Sequence, residues 1–283
     1  MPAALSRGRH RGGVGVLRQG RWKPLPAAYI VALLAPSGGF AQGWPQQILQ
    51  FWEKPQPVEW SYAGERGPEH WGDLSPDFST CKTGTHQSPI DLGAARRVGY
   101  SPLSFQYRSN ALSVINDGHL VRVVYLPGSY LRAGGREYEL KEFRFHTPSE
   151  HRIDGMAADM EMQLVHEGLA GDLAVVSVLM RAGRRMNSTL SRIWDRIPPG
   201  PGQNYDREVG INPVFLLPSD RGYFTYVGSL TTPPCTEGVT WFVLAEPVEV
   251  DRSYVQRLLT LVGQNARALQ ALNGRAVYSV MHR

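Results

Sequence analysis

From about residue 60 onward, apolar and polar positions mostly alternate with a period of two. LSFQY, ALSVIND, HLVRVVYL, KEFRFH, DMEMQLVH, LAVVSVLM, YFTYVGSL and VTWFVLAEPVEV either alternate or are dense in β-branched residues, so each reads as a strand. YLRAGGREYEL reads as a hairpin turning at Gly134–Gly135. Helical spacing is confined to about residues 188–197 and 251–263, and Asp251 is placed to N-cap the second. Many strands, few helices, no internal repeat and no linker after residue 60 predict one mainly β domain over residues 60–283. Residues 42–59, rich in Pro, Gln and Trp, read as an irregular arm. Its Trp44, Phe51 and Trp52 either dock on something or pack on the domain.

The pattern before residue 42 is different. Residues 1–26 carry Arg7, Arg9, Arg11, Arg18, Arg21 and Lys23 and no acid, and the apolar run AAYIVALLAPSGGFA follows at 27–41. Gly39 and Ala41 are small residues at the right offsets for cleavage before Gln42, so 1–41 reads as a signal peptide with a long basic start. A basic tail or an uncleaved anchor is the competing reading. The run is short and broken by Pro36, Gly38 and Gly39, a poor membrane span, and the mature chain has no other.

Cleavage changes the charge. The whole chain has 30 Lys+Arg against 25 Asp+Glu, and losing six basic residues leaves 24 against 25, a net charge of −1. The basic character belongs to the leader, and the case for nucleic acid as a partner goes with it. Export to the periplasm or beyond also suits the two cysteines, Cys81 and Cys235, which most simply form one disulfide closing a very long loop. Zinc ligation by this pair is the weaker alternative, because no CxxC spacing supports it.

The chemistry concentrates in KEFRFHTPSEH, residues 141–151. On a pleated strand Glu142, Arg144 and His146 share a face. Two histidines at that spacing would suit a metal, yet the first slot holds an arginine, permanently charged and without a lone pair.

WSYAGERGPEHWGDL (60–74), HQSPIDL (86–92), FHTPSEH (145–151), LVHEG (164–168) and GSLTTPPCTEGVTWFVL (228–244) together resemble the α-class carbonic anhydrases in their shorter bacterial form. NARALQALNGRAV (265–277) is similar to that family's closing segment, with alanines where prolines are usual. The resemblance implies a single domain around a large, twisted, mostly antiparallel sheet with a few peripheral helices, and an active-site cone reaching the sheet's centre. It also implies a zinc held by three histidines on two neighbouring strands. Those positions fall on Arg144, His146 and Gln163, so His146 alone is kept.

By the same resemblance, Thr231 and Glu150 are the pair that orients zinc-bound hydroxide, with Thr232 beside them. His119 takes the proton-shuttle position, and Tyr62 shares the water network. Val165, Val175, Leu230, Val239 and Trp241 are the apolar wall where carbon dioxide rests. Glu161 backs the third ligand, and Glu142 stands where a glutamine usually backs the first. His151 and His166 correspond to structural or outward-pointing positions. The disulfide would staple the Cys81 segment to the 231–235 loop.

Three functional expectations follow. The first is an exported pseudoenzyme that has lost zinc or binds it weakly, with Arg144 held by Glu142, Glu161 and Glu150, and Gln163 hydrogen-bonded into that cluster. Such a chain would act as a binding or assembly module toward a protein partner whose identity the sequence does not carry. The second is a working carbonate dehydratase with an unusual metal set such as His146, Glu142 and Glu161. That set is opposed by Arg144, whose fixed charge would repel Zn²⁺ by on the order of several kcal/mol at close range. The third places a small anion such as bicarbonate on Arg144, since a guanidinium matches a carboxylate's geometry.

Overall fold

Pleated backbone turns period-two alternation into a sheet whose two faces do different work. The computed structural model describes residues 58–281, so the predicted leader, the arm up to residue 57 and the last two residues lie outside the described part. Its strands are β1 (Arg96–Arg97), β2 (Ser104–Gln106), β3 (Asn110–Asn116), β4 (Val121–Val124), β5 (Tyr130–Ala133), β6 (Arg136–His146) and β7 (Arg152–Ile153). They continue as β8 (Met156–Ala157), β9 (Met160–Gly168), β10 (Leu173–Gly183), β11 (Gly202–Ile211), β12 (Tyr223–Ser229), β13 (Glu237–Asp251) and β14 (Tyr278–Val280).

Twelve of these form one sheet in the order β1-β14-β12-β13-β10-β9-β6-β4-β3-β11, with β5 also on β6 and β2 on β5, while β7 and β8 form a separate hairpin. Within the large sheet the pairs are antiparallel except β10–β13 and β1–β14. The expected mostly antiparallel architecture is the one found.

One face carries the main core. Phe143 and Phe145 of β6, Met162 and Leu164 of β9, Val176 and Val178 of β10, and Phe242 and Leu244 of β13 pack there, with Trp194 and Leu258 from the two helices behind. The residues between them point the other way: Glu142, Arg144 and His146, then Glu161, Gln163 and Val165, then Val175 and Ser177, then Val239 and Trp241. Alternation therefore builds core and site at once.

The two longer helices among the described residues are Ser188–Trp194, N-capped by Asn187, and Arg252–Val262, N-capped by Asp251 and ended by Gly263 at φ 70°. Both cap side chains accept backbone N–H bonds that would otherwise be orphaned. The hairpin turns where expected, on Gly134 and Gly135 at φ 54° and 78°, a left-handed pair that glycine adopts without penalty. The hairpin's second arm and KEFRFH are one continuous strand, β6, with a register shift between Leu140 and Glu142. Edge strand β11 carries no alternation, because nearly all of it is exposed or half-buried.

Cys81 and Cys235 are bonded to each other, 154 residues apart in sequence, fastening a short N-terminal helix to the loop after Thr231–Thr232. Closing so long a loop restricts the unfolded chain, and a Cys81→Ser/Cys235→Ser variant is expected to lose about 2–5 kcal/mol. Urea unfolding of the oxidised protein and the variant measures this directly. An unchanged midpoint would show that the crosslink contributes nothing.

Candidate functional site

The antiparallel pairing of β6 with β9 sets Arg144 opposite Gln163 and His146 opposite Glu161. The three positions expected from the resemblance thus meet in the middle of the sheet. His146 is fully buried, and its Nδ1 donates to the Asn265 carbonyl at 2.8 Å. That bond fixes the tautomer, so in the neutral ring Nε2 carries the lone pair. Nε2 has no hydrogen-bond partner and lies 3.6 Å from Glu150 Oε2.

Arg144 Nη2 donates to Glu142 Oε1 at 2.7 Å, and Nη1 donates to Thr232 Oγ1 at 3.3 Å. Glu142 also accepts from Arg122 Nη1 at 3.1 Å, and Arg122 faces Arg144 directly across β4–β6. Two guanidinium groups therefore share one carboxylate, and Asp117 stands 3.7 Å from Arg122. The expected cluster is corrected here, because Glu161 and Glu150 hold other partners. Glu161 accepts from the backbone N–H groups of Glu150 and His151, from the His151 ring, from Ser177 and from Gln163. Glu150 accepts from Gln163 Nε2 at 2.7 Å and from the Arg267 backbone N–H at 2.9 Å.

Gln163 thus bridges the two buried carboxylates, and this explains a second difference. Thr231 Oγ1 makes no hydrogen bond, so the expected Thr231–Glu150 pair is not formed. The Gln163 amide occupies Glu150 in its place. Glu161 stays a carboxylate for a reason visible in its contacts. Burial alone would push its pKa up, but the facing His151 ring and the N–H donors outweigh it and bring it down to about 2.

Tyr62, expected in a water network, is half-buried, and its hydroxyl is out of solvent with no partner in the protein. Burial first, and the Glu150 charge next, hold its pKa well above the usual phenol value. His119 is half-buried, with its ring stacked on Trp60 at 4.6 Å. Val165, Val175, Val239 and Trp241 are buried in one small apolar cluster, with Leu230 packed against it and Thr232 buried close by. Of the neighbouring histidines, His151 is buried between Glu161 and the Tyr226 hydroxyl, and His166 lies on the core face bonded to Tyr107.

Arg122, Asn265 and Arg267 belong to the site and were not singled out from the sequence. Arg122 had a signal, since it occupies the site-facing phase of its strand. Asn265 and Arg267 lie in the quoted closing segment, but their bonds to residues 146 and 150 span more than a hundred positions.

A tetrahedral zinc site needs several neutral nitrogen or thiolate donors. These residues do not fit it. Arg144 has no lone pair, the Gln163 amide nitrogen is aimed at two carboxylates, and both Glu142 oxygens are taken by arginines. The set His146, Glu142 and Glu161 is not assembled, and no group of three His, Cys, Asp or Glu that could hold a metal occurs among the described residues.

Known proteins share this frame. The sequence profile of the eukaryotic-type carbonic anhydrases matches residues 66–281. A carbonic anhydrase of Nostoc sp. is 45% identical over 226 residues, covering 78% of this chain and 85% of its own. The α-carbonic anhydrase of Thermovibrio ammonificans, solved with the inhibitor sulfanilamide, superposes with a TM-score of 0.76 at 41% identity, over 79% of this chain and all of that one. Dioscorin, solved with ascorbate, does so with a TM-score of 0.73 at 35% identity, over 80% of this chain and 99% of its own. With that profile spanning residues 66–281 and a relative at 45% identity over most of both chains, the chain belongs to the α-carbonic anhydrase family.

Proposed function

We propose that this is an exported carbonic anhydrase-fold protein that acts as a binding module and not as a zinc hydratase. One observation carries the reading. The first family ligand position is an arginine built into its surroundings by Glu142 and Thr232, beside a glutamine that has taken over Glu150. A fixed cation there opposes a divalent metal, and a single imidazole cannot replace three. Export is supported by the basic N-terminal segment and by the disulfide. The dioscorin–ascorbate complex supports the idea that this fold can host an organic ligand.

The names of the bacterial relatives favour the second reading, an active hydratase. Elemental analysis of mature protein purified without chelator, paired with stopped-flow carbon dioxide hydration, separates the two. Far less than one zinc per chain and no hydration above buffer are expected. Stoichiometric zinc with fast hydration would overturn the proposal. Intact mass of the exported protein should show a start near Gln42 and no free thiol.

A further inference from the structure

On the core side of the sheet, built from none of the site residues described above, lies a cavity of about 380 Å³. Three parts of the chain line it: the 3-10 turn Pro213–Leu216 with the loop after it, the end of β13, and the segment leading into the Ser188–Trp194 helix. The volume falls in the range of small-molecule sites, roughly 300–1,000 Å³. Val214, Leu217 and Val248 close the cavity against the main core, and Phe215 stands exposed at its side.

Two arginines line this cavity, Arg185 and Arg221, and neither has a carboxylate partner among the described residues. Arg221 is half-buried. Its Nε donates to the Pro218 carbonyl at 2.7 Å, and its guanidinium lies 5.0 Å over the Phe105 ring. Those contacts fix the group and leave both η nitrogens without an acceptor among the described residues. Burial draws its pKa down from the ordinary 12.5, so the charge is held at a cost that a ligand carboxylate would relieve. Two η nitrogens held in one plane form a fork that matches a carboxylate.

Two glutamates share the lining and decide against a simple anion. Glu246 Oε2 accepts from the Asp220 backbone N–H at 2.7 Å, and Glu249 Oε1 accepts from that of Arg184 at 2.9 Å. In each, the other carboxylate oxygen makes no hydrogen bond among the described residues. An anion would be drawn by two guanidiniums and repelled by two carboxylates, and a cation would meet the reverse. A zwitterion meets both signs, and the apolar lining accepts a hydrocarbon side chain.

We infer that this cavity binds an apolar α-amino acid as its zwitterion. Its carboxylate lies on Arg221, its ammonium toward the free oxygens of Glu246 and Glu249, and its side chain against Leu217 and Val248. The cavity is separate from the sheet's centre, so the inference holds whether or not zinc binds there.

The test is calorimetric titration of the mature protein with phenylalanine and leucine, with 3-phenylpropionate, which lacks the ammonium, and with phenethylamine, which lacks the carboxylate. Phenylalanine should bind saturably and roughly tenfold more tightly than either truncated analogue, as expected for one lost charge-assisted contact. Arg221→Gln should erase its advantage over phenethylamine. Glu246→Gln/Glu249→Gln keeps an acceptor for both backbone N–H groups, so it should fold normally and erase the advantage over phenylpropionate. In ¹⁵N–¹H spectra the amides of Asp220 and Arg184 should move with phenylalanine, while those of Glu150 and His151, at the sheet's centre, should not.

If Arg221→Gln folds poorly through loss of its Phe105 contact, the glutamate variant and the amide shifts decide. Equal affinity for phenylalanine and phenylpropionate would overturn the inference. So would the absence of saturable binding of phenylalanine or leucine by folded protein, or shifts confined to the Glu150 and His151 amides. None of these results bears on the proposed function, which zinc content and hydration rate decide.

Discussion

An Arg144→His/Gln163→His double variant is expected to bind zinc stoichiometrically, whereas either single variant should bind little. The new imidazole at 144 would share a face with His146, and the one at 163 would lie directly across the strand pair. Glu161 Oε1 already accepts from the Gln163 amide at 3.0 Å, so it is placed to take the N–H of a histidine there. The exchange at 163 also frees Glu150 from the amide that now occupies it, opening that carboxylate to Thr231.

Each single variant remains incomplete, one with an arginine beside two imidazoles and the other with a glutamine. The gain should therefore be strongly non-additive. Zinc stoichiometry by elemental analysis is the primary readout and hydration rate the secondary one. Reverting Glu142 to glutamine should help further, since an extra carboxylate near the metal would raise the pKa of its water. A folded double variant without zinc would show that the cavity has diverged beyond its ligand positions.

The second large effect is acid sensitivity, and two buried groups set its shape. His166 sits on the core face, where burial pushes its pKa from the ordinary 6.5 down to about 3. Above pH 6.5 it is neutral folded or unfolded and has no effect on the pH dependence. Between 6.5 and 3 the unfolded chain takes up a proton that the folded one refuses, so stability should fall by about 1.4 kcal/mol per pH unit.

Glu161 acts lower. Its pKa drops from 4.5 to about 2 on folding, so its contribution is complete above 4.5 and is lost as pH falls through 2. The stability curve should therefore steepen below about pH 4.5. Urea unfolding from pH 8 to 3 would trace it. His166→Gln, which keeps an acceptor for the Tyr107 hydroxyl, should flatten the stretch between 6.5 and 4.5. An equal slope in both proteins would rule out His166 as the cause.

Much of this architecture was legible in the chain. Period-two alternation marks β6, β9, β10 and β13 and assigns each residue to the core or the site face, because a pleated strand leaves no other arrangement. Segments such as SLTTPPCTEGVTW place the family, and FHTPSEH fixes the register from which the resemblance assigns Arg144 to an expected ligand position. Two kinds of information stayed hidden. Strand β11 carries mostly exposed side chains, so no hydrophobic pattern betrays it. Competition is also invisible in sequence. Position matching puts Thr231, Glu150 and Gln163 near one another, but which donor Glu150 accepts is settled by geometry. Likewise, Arg122 enters the charge balance of Arg144 only once β4 is paired to β6.

The arginine at position 144 has one consequence of another kind. A metal centre is a loading equilibrium: it must be filled, it can be stripped by chelators, and its occupancy follows the metal supply. The guanidinium at 144 is covalently part of the chain and needs no loading step. Its charge is present in every folded copy from the outset, independent of trace-metal supply, and it cannot be swapped for a competing ion. Whatever this site recognises, the positive centre is inherited with the chain and not acquired from the medium.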